Sequence, residues 1–249
     1  MASVTESEIV QFVEQHIGQF HASRLEALFK LRLKKILARK NPYLFKAKYL
    51  NSAPDLIKTI LDAHLSSQEE TIFGTFLEEL ARFICGKVYG GKKSAAEGID
   101  LEFEKDGVWY LVSLKSGPKW GNSEAVKRMV ESFNKAKKIL GTNTRGIKVV
   151  CVNGCCYGKE KNIERKGNYL KLCGQRFWEF VSGDQDFYVH IIEPLGHKAK
   201  EKNEQFQLEY GKIITKFTLE FTKGYCAPDG AILWARLTQF NSGIGESSI

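Results

Sequence analysis

Glu97-Gly98-Ile99-Asp100-Leu101-Glu102-Phe103-Glu104-Lys105-Asp106-Gly107-Val108-Trp109-Tyr110-Leu111-Val112-Ser113-Leu114-Lys115 forms two β-forming runs around an Asp-Gly pair. A type I′ turn needs positive φ at both central residues, which Asp-Gly supplies, so the stretch predicts a two-residue hairpin with strands over 99–105 and 108–115. In that register Lys105 faces Val108, and Asp100 falls directly across from Ser113. Lys115 then lies one diagonal step from Asp100 on the same face, about 7 to 8 Å between backbones, which a lysine side chain spans. A carboxylate and an ammonium thus converge on an otherwise apolar hairpin. The plain alternative is an ordinary cross-strand ion pair. Against it, Val112 to Leu114 has the apolar character of a central strand and leads directly into the turn-rich Ser116-Gly117-Pro118-Lys119-Trp120-Gly121-Asn122, the kind of segment that carries function.

At these residues the chain resembles the PD-(D/E)xK nuclease superfamily, through Gly98-Ile99-Asp100, the hairpin, and Ser113-Leu114-Lys115. Three further segments, Asn41-Pro42-Tyr43-Leu44-Phe45-Lys46, Ser67-Gln68-Glu69-Glu70-Thr71-Ile72-Phe73-Gly74 and Leu172-Cys173-Gly174-Gln175-Arg176-Phe177-Trp178, resemble one family of type II restriction endonucleases over most of the chain. Two positions depart from the superfamily pattern. Ile99 stands where proline is common, and Ser113 stands in the place of the second acid. The resemblance implies a restriction-endonuclease-like core of the α/β (α+β) class, a mixed sheet flanked by helices, with helical N- and C-terminal extensions. It also implies Mg²⁺, one or two ions per site, held by Asp100, the Leu114 carbonyl and a glutamate drawn from a helix. Lys115 would orient or deprotonate the attacking water, and Ser113 would only hydrogen-bond. The implied partners are double-stranded DNA, a second copy of the chain in a homodimer, and a cognate DNA methyltransferase in the same system.

The glutamate is sought by helical phase. Between Ser66 and Ile84 the residues Ile72, Phe73, Phe76, Leu77, Leu80, Phe83 and Ile84 make an apolar stripe, with a start expected at a Ser66 or Ser67 cap. Glu79 borders that stripe and Glu78 points away from it, so Glu79 is the expected ligand, although a border glutamate is also what any amphipathic helix carries. Glu70 and Glu102 are the reserves. Glu124 and Glu131, on a helix predicted from Asn122 or Ser123 to Leu140, point outward from its Val126, Met129, Val130, Phe133, Ala136 and Leu140 face.

The chain of 249 residues carries a net charge of +8, which favours a polyanionic partner without identifying it. The charge is unevenly placed. From Arg24 to Lys48 basic residues face a single acid, Glu26, so Lys34, Lys35, Arg39 and Lys40 are expected at DNA phosphates, with a solvated helix face as the alternative. Lys119 and Asn122, in the loop after the hairpin, are the other expected DNA contacts. Helices are predicted over Glu6 to Phe20, Ser23 to Lys40 and Pro54 to Leu65. A doubly buried strand is predicted over Gly146 to Val152, and an exposed basic loop over Tyr157 to Asn168. Further helices are expected at Gln175 to Val181, Phe187 to Ile192, Lys198 to Phe221 and Ile232 to Phe240. The domain reading is a basic helical region over 1–65 and a nuclease core over 66–249, or one continuous domain.

Several chemistries lack support. The six cysteines lack paired C-x-x-C spacing for zinc and read as reduced thiols; the five histidines show no ligand spacing; no P-loop and no Gly-x-Ser-x-Gly elbow occurs. Met1 to Glu8 lacks the basic start and apolar run of a signal peptide, and no apolar run reaches membrane-span length, so a cytoplasmic location is expected. The expected activity is that of a type II site-specific deoxyribonuclease. A structure-specific repair or recombination nuclease and a catalytically inactive DNA-binding module on the same fold are the alternatives.

Overall fold

Asp106 and Gly107 take φ of 53° and 72°, the paired positive angles of a type I′ turn. The computed structural model, which describes residues 4–143, 148–165 and 167–244, places the hairpin in the expected register. In chain order the elements are α1 (Glu6–Phe29), α2 (Leu33–Leu37), α3 (Pro42–Ala47), α4 (Ala53–Tyr89), β1 (Leu101–Lys105), β2 (Val108–Lys115), α5 (Ser123–Asn143), β3 (Lys148–Cys155), β4 (Glu164–Arg165), β5 (Tyr169–Cys173), α6 (Gln175–Ser182), α7 (Phe187–His190), α8 (Ile192–Leu195), α9 (Ala199–Tyr225) and α10 (Trp234–Ser242). They divide into two compact units, Met1–Gly18 with Phe73–His197, and Gln19–Ile72 with Lys198–Ile249. Among the described residues no helix is long and apolar enough to cross a membrane.

The first unit is built on a five-stranded mixed sheet in the order β1-β2-β3-β5-β4. Leu101 pairs with Val112 and Lys105 with Val108, antiparallel, while β2, β3 and β5 run parallel. The expected helix-flanked mixed sheet is therefore present. β3 is buried along its second half, with Cys151, Val152 and Asn153 nearly inaccessible, as a parallel strand covered on both faces should be. It starts at Lys148; Gly146 and Ile147 lie outside the described residues, and it runs on to Cys155. One sheet face packs Ile99, Leu111, Cys151 and Tyr169 against Met129, Phe133 and Ala136 of α5. Around Phe103, the rings of Tyr89, Tyr110 and Phe180 stack or tilt at 4.9 to 5.5 Å between centroids.

The second unit is helical. Its core joins Leu28, Ile36, Leu37, Leu56, Ile57, Ile60 and Leu61 to Phe206, Tyr210, Phe217, Phe221 and Leu237. Arg24 is ion-paired with Glu69 and lies with its guanidinium carbon 3.6 Å from the Phe206 ring centroid, and Tyr210 donates a hydrogen bond to Asp62.

Several expected boundaries are corrected. No break separates Leu65 from Ser67; α4 is one helix, because neither glycine nor proline interrupts the turn and Thr71 Oγ1 donates back to the Ser67 carbonyl at 3.1 Å. α1 likewise runs unbroken through His21 to Phe29. The expected Ser23 to Lys40 helix stops there, because Arg32 is extended and its guanidinium donates to the carbonyls of Phe29 and Leu31 at 3.3 and 2.9 Å, satisfying a helix end. Asn41 opens a helix: its side chain accepts from the Leu44 N–H at 3.2 Å, with Pro42 in the first turn. The expected loop from Tyr157 contains β4, β5 follows it, and Lys166 lies outside the described residues. All six cysteines are free thiols, five buried in the first unit and Cys226 partly covered in the second.

Candidate active site

Asp100 sits one residue before β1, held in the extended register by its N–H donating to the Val112 carbonyl at 2.9 Å. Its side chain turns toward the end of β2. Asp100 Oδ2 accepts the Leu114 N–H at 2.7 Å and the Ser113 hydroxyl at 3.4 Å, and Lys115 Nζ stands 3.9 Å away. The structure thus brings Asp100, Ser113, Leu114 and Lys115 together. The N–H and C=O of one strand residue leave on the same side, so the Leu114 carbonyl also leaves toward Asp100.

A buried polar relay supports this end of the sheet. Asn153 Nδ2 donates to the Ser113 carbonyl at 3.3 Å, and Asn153 Oδ1 accepts from Trp120 Nε1 at 3.0 Å. The Trp120 ring centroid lies 5.2 Å from Lys115 Nζ, close enough to hold the ammonium over its face. Neither Asn153 nor this use of Trp120 is visible in the spacing, because both depend on β3 lying parallel beside β2.

The helix carboxylate that faces this group is Glu78. Burial raises its pKa above the usual carboxylate range, the Asp100 charge raises it further, and Lys115 and Arg82 pull it down. Arg82 lies 3.9 Å from it. Glu79, the expected residue, is likewise half-buried, and its charge also opposes the ionisation of Glu78. The reason is the phase of α4. Its buried residues are Phe76, Leu77, Leu80, Ala81, Ile84, Cys85 and Val88, so the stripe includes small residues on one flank and its centre lies about 60° from the expected one at 3.6 residues per turn. Gly74 was the available signal. A Cβ there would collide with Ser116 Oγ, the residue after Lys115, so the helix touches the site at Gly74 and presents Glu78 one turn later on the same face.

The other carboxylates are elsewhere. Glu102 accepts Ser94 Oγ–H at 2.7 Å and pairs with Lys92 at 3.6 Å; Glu70 is exposed in the helical unit; Glu124 pairs with Arg128 on the outside of α5, where Glu131 is also exposed. Asn122 Oδ1 caps α5 by accepting the Ala125 N–H at 2.9 Å, and Lys119 is exposed beside it. Lys34, Lys35 and Arg39 are exposed and Lys40 is half-buried, all in the helical unit.

Among the described residues no three His, Cys, Asp or Glu side chains form a ready metal cage. The Asp100 carboxylate, the Glu78 carboxylate whose ionisation it opposes, a strand carbonyl and a hydroxyl are hard oxygen donors with an excess of negative charge. Mg²⁺ fits such a sparse set, since it retains several waters of its own.

A helix-flanked mixed sheet with an acid and a lysine gathered at the end of its hairpin is the architecture of the restriction-endonuclease-like class. Residues 7–203 match the family model described as type II restriction endonuclease EcoO109I, and the chain belongs to that family of nucleases. No curated protein matches it.

Proposed function

We propose that the chain is a sequence-specific, Mg²⁺-dependent type II restriction endonuclease that hydrolyses phosphodiester bonds in double-stranded DNA, with a Ser-x-Lys variant of the PD-(D/E)xK site. The observation that carries this reading is Lys115 Nζ standing 3.9 Å from Asp100 Oδ2 at the end of β2, with half-buried Glu78 near enough that both charges act on its ionisation. Asp100, Glu78 and the Leu114 carbonyl would hold the ion, which supplies charge neutralisation at the phosphate and at the leaving oxygen. Lys115 neutralises a phosphate oxygen and holds or takes the proton of the attacking water. Its 3.9 Å separation from Asp100 leaves it able to turn toward a substrate. Ser113 orients the Asp100 carboxylate through its hydroxyl. Trp120 and Asn153 keep the lysine over the site. Lys34, Lys35, Arg39, Lys40 and Lys119 contact phosphates, which position the duplex without reading it. A homodimer would place one such site on each strand, and a paired methyltransferase would protect the host's own DNA.

Ser113 alone would favour a second reading, a DNA-binding module that does not cut. Incubation of plasmid DNA with the protein, with Mg²⁺ and with excess chelator, separates the two. Discrete fragments with uniform ends only in Mg²⁺ are expected; intact plasmid under every condition would leave the binding module.

A further inference from the structure

We infer that the segment from Tyr157 to Arg165, together with Arg176, is the surface through which this chain reads base edges in the major groove of duplex DNA. The inference rests on the DNA-cleaving function proposed above and adds the element that gives it sequence preference.

Position is the first ground. Lys115, Cys155 and Cys173 are the last residues of β2, β3 and β5 and are register partners in the parallel part of the sheet. The chain therefore leaves the same end of the sheet three times, into 116–122, into 156–163 and, through Gly174, into α6. The second exit is bonded to the first beside the candidate base: the Cys156 N–H donates to the Lys115 carbonyl and the Tyr157 N–H to the Ser116 carbonyl, both at 3.0 Å. A duplex whose phosphate reaches Lys115 meets this segment next.

Charge is the second ground. Glu160 is ion-paired with Arg165 and lies 3.6 Å from Lys171, and Lys171 Nζ also donates to the Pro118 carbonyl at 2.8 Å. These three side chains are largely covered and tie the segment to the loop after Lys115. Gly158, at φ 91°, packs so closely on Pro118 that a Cβ would collide with the ring. With Glu160 so used, Lys159, Lys161, Asn162 and Arg176 remain exposed, none of the four side chains holding an ion pair among the described residues, so the three cations outweigh Glu164, the exposed acid of the segment, which borders the same groove.

Shape is the third. Lys161 and Arg176 line two concavities at once, an open groove of about 940 Å³ that Asn162 and Arg165 also border and a more apolar one of about 760 Å³ beside Tyr157. The two long cations thus stand on a ridge between hollows. A ridge bearing an arginine fork and an asparagine amide suits the major groove, where the fork matches guanine and the amide matches adenine. Phosphates need only charge, and a rigid platform is of most use where a planar fork must meet a planar edge.

The test is the cleavage preference on a library of random duplexes, read from the sequenced ends. Arg176→Ala and Asn162→Ala should each lose about 10- to 100-fold discrimination at one or two base-pair positions, with the remaining positions unchanged. Arg176→Lys keeps the charge and loses the fork, so it should relax the same position while retaining the salt dependence of binding. Uniform loss across all sequences, with the log-log salt slope falling by about 0.9 for each phosphate no longer neutralised, would make the surface a phosphate clamp and overturn the inference. Wild-type selectivity in Arg176→Lys would overturn it as well. Should the wild type cut nothing, the nuclease reading fails separately, and selection of bound duplexes from the same library with the same variants still decides what the surface reads.

Discussion

Asp100 Oδ2 is the single atom on which the Leu114 amide at 2.7 Å, the Ser113 hydroxyl at 3.4 Å and the Lys115 ammonium at 3.9 Å converge. Because the backbone amide depends on that oxygen, Asp100→Ala would leave a donor unpaired at a cost of about 1 to 3 kcal/mol, whereas Asp100→Asn keeps an acceptor and removes the charge. Asp100→Asn and Lys115→Ala should therefore each reduce Mg²⁺-dependent cleavage by about 100-fold or more, on the order of a missing general base or charge partner, while melting near the wild-type temperature. Full-rate cleavage by either variant in a plasmid assay would remove this group as the site.

Glu78 and Glu79 separate the site from the helix surface. Glu78→Gln should slow cleavage steeply and raise the Mg²⁺ concentration needed for half-maximal rate, since it removes one of two charges opposing the ion. Glu79→Gln should change the rate only a few-fold. The reverse ranking in a magnesium titration of both variants would return the role to Glu79.

The basic residues of the helical unit should act through phosphates. Reversing Lys34, Lys35 and Arg39 to glutamate should weaken binding to every duplex alike and flatten its salt dependence, by about 0.9 in log-log slope for each phosphate that the protein ceases to neutralise. Fluorescence anisotropy at several salt concentrations checks this, and an unchanged slope would make these residues an ordinary solvated face.

Acid should weaken the helical unit through its histidines. Burial lowers the pKa of His21, with Arg24 and Lys202 lowering it further, and burial lowers that of His64, with Lys40 and Arg39 adding to it. A base whose folded pKa is depressed binds more protons unfolded than folded below about pH 6.5, so stability present at about pH 7 to 8 declines as pH falls through that value. Thermal melts from about pH 8 to about pH 5 should show the decline, and His21→Gln with His64→Gln should flatten it. A double variant as acid-sensitive as the wild type would place the effect on other groups.

Much of the first unit is readable from local chemistry. Asp106-Gly107 fixes the hairpin register, and with it the meeting of Asp100 and Lys115, because a two-residue turn leaves no freedom in the pairing. What depends on distant packing is not readable in that way. The stripe of α4 includes Ala81 and Cys85, which weigh little in an apolar pattern, so the phase of this helix emerges only from its packing and from the close approach at Gly74. Asn153 and Trp120 meet because β3 runs parallel beside β2, a pairing between segments with no local signature. β5 is hidden for another reason: Tyr169 to Cys173 is short and follows turn residues, so only its pairing with β3 makes it a strand.

The buried thiols carry a consequence for measuring motion in this molecule. Burial pushes Cys85 up to about 12 and Cys151 up to about 11, and it raises Cys155 and Cys156 as well, so at neutral pH these sulfurs are protonated as well as covered. Alkylation needs an exposed thiolate, so the sheet unit can be labelled only during excursions that open it. Partly covered Cys226, in the helical unit, should react ahead of them. The natural sequence thereby contains its own two-channel clock, in which mass spectrometry of labelled peptides would time the breathing of each unit without an introduced probe.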